Sequence, residues 1–195
     1  HAVAEAWLWS ECGQEAGGTV VLRLVTVDGD TLGEASARVD AITDPHAVAV
    51  LAVPLAGARA GGSPVVLWEA EWRDAEGSLI DRDVSLASIT ENLAGLLDLA
   101  PAVLDITVQD ASAGGRPAVT VQVKHIGGPA AIGLQLCDLR PARSPGWAVI
   151  DGDPRPLLPG KERAFDVHWR GDLDGDRVLG VESWNTDSVV LRISD

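Results

Sequence analysis

Hydrophobic residues in this chain come in short period-two runs, broken every ~8 to 12 residues by Gly, Pro, Asp or Ser, and this spacing constrains the fold more than any other feature. The clearest run lies between Pro64 and Arg73. There Val66, Trp68, Ala70 and Trp72 fall on one side of an extended chain, with Glu69, Glu71 and Arg73 on the other. Almost no segment is long and periodic enough for an amphipathic helix, so the chain is expected to be all-β.

The first half reads as strands at Val3 to Trp9, Thr19 to Val27, Thr31 to Val39, His46 to Val53, Pro64 to Arg73 and Leu79 to Ala87. An Asp28-Gly29 hairpin turn, a Thr43-Asp44-Pro45 break and an Asp74-to-Ser78 loop punctuate them. Residues Ile89 to Leu99 lose the alternation. They read as an apolar connector with one helical turn capped by Thr90, stopped at Ala100-Pro101 and packed on the flanking domains through Leu93, Leu96 and Leu97. The second half repeats the pattern at Val103 to Gln109, Pro117 to His125, Ala131 to Asp138, Trp147 to Asp151, Ala164 to Arg170, Arg177 to Ser183 and Ser188 to Ile193. The expected architecture is two tandem immunoglobulin-like antiparallel β-sandwiches, residues 1–88 and 102–195, joined by the connector 89–101. Phe165, Val167 and Trp169 share one face and are expected core anchors.

At 195 residues and 46% hydrophobic, the chain can bury two ordinary β cores. A formal charge of −14, with Lys124 and Lys161 the only lysines, disfavours nucleic acid and anionic membranes, which require clustered cations. Cys12 and Cys137 lie about one domain apart and are expected to be free thiols, which tilts the expected compartment toward the cytoplasm. No targeting segment is visible. The absence of Met and the start at His1, inside an expected strand, suit a piece of a longer protein.

The last third carries a more specific signal. A Leu157-Leu158-Pro159-Gly160-Lys161-Glu162 turn precedes the Ala164 to Arg170 strand, and a later strand ends in Val181-Glu182-Ser183-Trp184-Asn185. This combination resembles the closing immunoglobulin-like domain of family-two glycoside hydrolases of the β-mannosidase and exo-β-glucosaminidase type. Ala4 to Trp9, and the Glu91-Asn92-Leu93 to Pro101 connector with Leu104-Asp105-Ile106, resemble the preceding domain and the junction in those enzymes. Lys161 and Asp151-Gly152-Asp153-Pro154 depart from the family pattern. The resemblance implies a non-catalytic accessory segment that docks against the catalytic barrel of the same parent chain and shapes its active-site rim, with no cofactor. An independent carbohydrate-binding module and a cell-surface adhesion or scaffold sandwich are the alternatives.

The residues offer little catalytic chemistry of their own. Glu69 and Glu71 are a carboxylate pair two residues apart on a strand, and their place on its outward face reads as a solvated surface. Asp172-Leu173-Asp174-Gly175-Asp176 superficially matches a calcium loop but lacks its closing Glu, and reads as a charged hairpin; no metal site is expected. His1, His46, His125 and His168 lack metal-ligand spacing, and no nucleophile motif appears. Seven tryptophans beside one Phe and no Tyr are the skewed choice. Trp7, Trp68, Trp72 and Trp169 fit cores, whereas Trp147 and Trp184, with Asn185, are the candidates for carbohydrate or domain-interface contact. Trp184 is expected to pack within a fold-closing element.

Overall fold

A computed structural model of the chain describes residues 3–8, 17–40, 48–54, 65–88, 93–112, 117–171 and 177–193. Among the described residues the elements are strands, all paired antiparallel, and one short 3-10 turn. The chain divides into two compact units, His1–Asp98 and Leu99–Asp195.

Unit 1 contains β1 (Val3–Leu8), β2 (Gly18–Thr26), β3 (Thr31–Val39), β4 (Val48–Pro54), β5 (Val65–Arg73) and β6 (Leu79–Ser88). Strands β1 and β4 form one ribbon, and the others form a sheet in the order β3-β2-β5-β6. The β2–β3 hairpin closes where the sequence places it: Gly29, at φ 92°, donates its N–H to the Thr26 carbonyl, and the Thr26 hydroxyl accepts from the Asp30 N–H. Register then sets the faces. Val20 lies opposite Trp72, Leu22 opposite Ala70 and Leu24 opposite Trp68, giving one apolar face; Arg23 lies opposite Glu69 and Val21 opposite Glu71 on the other. Trp7 and Trp9, Cys12, His1 and His46, and the Thr43-Asp44-Pro45 break lie outside the residues whose side chains are described.

Unit 2 is a sandwich of two four-stranded sheets. It is built from β7 (Val103–Asp110), β8 (Ala118–Gly127), β9 (Ala131–Asp138), β10 (Trp147–Ile150), β11 (Arg155–Leu157), β12 (Glu162–Arg170), β13 (Arg177–Glu182) and β14 (Val189–Ile193). One sheet runs β10-β12-β8-β7 and the other β11-β9-β13-β14. Between them Val121, Val123, Leu134, Phe165, Val167, Trp169, Leu179 and Val181 form the core. Burying side chains of this size contributes roughly 1.5–3 kcal/mol each, which is what fixes the register of β8 and β12. Gly133, at φ 64°, makes β9 spend three residues where β11 spends two, a bulge that turns both Ala131 and Leu134 inward.

Two expectations are corrected. Strand β11 does not appear among the strands read from the sequence; it is three residues long with Pro156 inside it, which is tolerated because β11 is a sheet edge. The connector is not an apolar plug. Its described part holds a 3-10 turn, Ala94–Leu96, with no side-chain cap and no buried residue, and Leu97 is 73% exposed. Thr90 lies outside the described residues.

Candidate functional site

The carboxylates Glu69 and Glu71 are not solvated. Their exposures are 3% and 1%, which corrects the reading of this strand face as surface. The cause is three arginines, Arg23 and Arg82 from the two neighbouring strands and Arg73 from the end of the same strand. Arg23, on β2, donates through Nε to Glu34 Oε2 (2.6 Å) and through Nη1 to Glu69 Oε2 (3.2 Å) and Glu71 Oε2 (3.0 Å). Arg82, on β6 and directly opposite Glu71, donates through Nη2 to Glu71 Oε1 at 2.7 Å, and its Nε lies 3.3 Å from Glu69 Oε1. Arg73 Nη2 donates to Glu71 Oε2 at 2.9 Å, while its Nη1 binds the Gly77 carbonyl. Three glutamates thus meet three guanidiniums whose aliphatic stems help cover the sheet.

This arrangement determines what the pair can do chemically. Burial alone would raise the Glu71 pKa, but the hydrogen bonds from Arg82, Arg73 and Arg23 outweigh it and hold the carboxyl down at about 2. A group ionised throughout the working pH range cannot serve as a general acid, and both Glu71 oxygens are already occupied by guanidinium donors. The same glutamates raise the Arg23 pKa against the lowering effect of its burial. The cluster is a structural lock.

In unit 2 the three sequence candidates separate. Asn185 is buried and serves the backbone: its Oδ1 accepts from Ile132 N (2.9 Å), and its Nδ2 donates to Ala130 O (3.0 Å) and Ala100 O (3.2 Å). Its own carbonyl accepts from Ala102 N at 2.8 Å. It therefore ties the β13–β14 turn to the start of β9 and to the chain entering the unit. Trp184, one residue earlier, donates its backbone N–H to Ile132 O, yet the residue is 64% exposed. The expectation that its ring packs as part of the closing element is thus corrected; the element is closed by Asn185.

Trp147 lies at the opposite end of the sandwich and is 57% exposed. It opens β10 opposite Arg170, the last residue of β12, whereas Trp184 is fastened at Ile132, near the start of β9. Asp138, whose Oδ2 accepts from Ala148 N, marks the Trp147 end of β9, six residues or roughly 20 Å from Ile132. The two tryptophans cannot share one flat platform for a single sugar ring.

The remaining candidates that the structure describes take structural positions. Among the described residues no group of three or more His, Cys, Asp or Glu side chains could hold a metal, and the Asp172 to Asp176 loop lies outside them. His125 is buried with Nε2 2.7 Å from the Pro129 carbonyl, so that nitrogen carries the proton. Cys137 is a free thiol whose pKa is pushed up by burial and by Glu182, the reverse of what a nucleophile needs. No helix among the described residues is long and apolar enough to cross a membrane.

No family model and no curated relative matches the sequence. Solved structures do match it. A complex of the Amycolatopsis orientalis exo-chitosanase with PNP-β-D-glucosamine superposes at a TM-score of 0.76 and 18% identity, over 97% of this chain and 25% of that one. A second crystal structure of the Amycolatopsis orientalis exo-chitosanase gives 0.75 and 17%. The β-D-mannosidase of Dictyoglomus thermophilum gives 0.61 and 12%, over 95% of this chain and 22% of that one. The chain has the fold of a segment of these glycoside hydrolases and spans about a quarter of their length.

Proposed function

We propose that this chain is the closing, non-catalytic pair of β-sandwiches of a larger glycoside hydrolase of the β-mannosidase or exo-β-glucosaminidase type, where it docks against the catalytic barrel of the same parent chain and shapes the rim of its active site. The observation that carries this reading is the likeness of both units together, 97% of the chain, to a quarter of an exo-chitosanase. The chemistry of unit 1 supports it, because Glu71, one of the paired carboxylates on β5, is committed to arginines rather than poised over a cleft. One observation favours the independent carbohydrate-binding module as a second reading: Trp147 is an exposed aromatic on an ordered strand.

The test of the non-catalytic role is direct. The purified chain is expected to release no nitrophenol from p-nitrophenyl β-D-mannoside or p-nitrophenyl β-D-glucosaminide. Hydrolysis that copurifies with the chain and is abolished by Glu69→Gln would overturn the reading.

A further inference from the structure

The β9–β10 loop that delivers Trp147 is built more firmly than its exposure suggests. Arg140, its side chain 8% exposed, is clamped on Asp138 through Nη2–Oδ2 (2.6 Å) and Nε–Oδ1 (3.0 Å), and its Nη1 donates to the Pro145 carbonyl at 3.3 Å. Asp138 also accepts from the Arg140 and Ala148 backbone N–H groups, so a single carboxylate fixes both ends of the loop. The clamp lowers the pKa of Asp138 and raises that of Arg140, as a strong charge-assisted pair does. At the tip, Gly146 (φ 72°) meets Gly171 (φ 87°) backbone to backbone: a Cβ on Gly171 would lie 2.9 Å from Gly146 Cα and 3.6 Å from Trp147 Cζ3. A side chain at Gly171 would close that approach, which places the indole edge beside Gly171.

An exposed indole on a preorganised mount pays little entropy to receive a flat apolar partner. Beside it on the same face stand Arg170, opposite Trp147 in the register, then Val149 and His168 in the next row. Arg170 and His168, both exposed, carry N–H donors on that face, which suits a ligand rich in hydroxyls. Trp184 lacks this setting, since the side chain pinned beside it belongs to Asn185 and faces the backbone.

We infer that Trp147, flanked by Arg170 and His168, is a carbohydrate contact that stacks on the apolar face of a β-linked hexopyranose. The inference rests on the glycoside hydrolase reading for its ligand class and on the loop geometry for its place. Neutral probes keep charge out of the readout. Titration of the whole chain with cellotriose or β-1,4-mannotriose is expected to quench tryptophan fluorescence saturably. Trp147→Ala should weaken binding by up to about tenfold, since an aromatic stacking contact is worth up to ~1.5 kcal/mol. Trp147→Phe should recover most of the affinity and Trp184→Ala should bind like the native chain, all three melting as the native chain does. The absence of saturable quenching with either trimer, or binding that persists undiminished in Trp147→Ala, would overturn the assignment. Neither result would touch the non-catalytic reading, which only hydrolysis by the chain would remove.

Discussion

Asn185→Ala is expected to destabilise unit 2 by about 3–5 kcal/mol, whereas Trp184→Ala, one residue away, should change it by less than about 1 kcal/mol. The contrast comes from what each side chain touches. The amide of Asn185 satisfies the Ile132 N–H and the Ala130 and Ala100 carbonyls, and its removal strands the first two, which are buried, at about 1–3 kcal/mol each. Trp184 is 64% exposed, so its truncation opens no cavity. Urea unfolding of the two variants measures both effects on one scale. Equal losses would mean that the indole, rather than the amide, closes the sandwich.

The second large effect is expected at Glu71. Glu71→Gln leaves Arg23, Arg73 and Arg82 around a neutral amide, and breaking a buried pair from one side costs about 3–5 kcal/mol. The pH dependence has a definite sign. Glu71 has a folded pKa held down at about 2 against an ordinary value of 4.5, so its contribution is complete above about pH 4.5 and is lost as the pH falls toward 2. The stability gap between native and variant should therefore be widest near neutrality and shrink steadily below pH 4.5. A gap that stays constant from pH 7 to pH 2.5 would show that the carboxylate charge is not what the arginines hold.

Much of the architecture is legible in the sequence because a half-buried strand must alternate. Trp68 and Trp72 on one face of β5, and Phe165, Val167 and Trp169 on the inner face of β12, lie where period two places them. What alternation cannot reveal is what covers a face. Glu69 and Glu71 look solvated until Arg23 arrives from a strand 46 residues away by sequence and Arg82 from the next hairpin arm; a charge-matched row across strands is visible only once the register is known. Asn185 was legible as a position, beside a strand end, but not as a role, because its three partners lie 53 to 85 residues upstream. The exposure of Trp184 was hidden for the same reason. Strand β11 is missing from the sequence reading because Pro154 and Pro156 carry the signature of a loop, and only an edge position lets such a segment pair.

The central claim, that these units are a segment of a larger glycoside hydrolase, has a size attached to it. The chain is 20.4 kDa and spans 25% of the exo-chitosanase it matches, so the native gene product that carries it should be about fourfold heavier, roughly 80 kDa. An antibody raised against the chain, used with mass spectrometry of the protein it captures from its source, measures this directly. The account predicts a species near that mass whose additional peptides belong to the same polypeptide. A native product of 20.4 kDa with no larger form would contradict it.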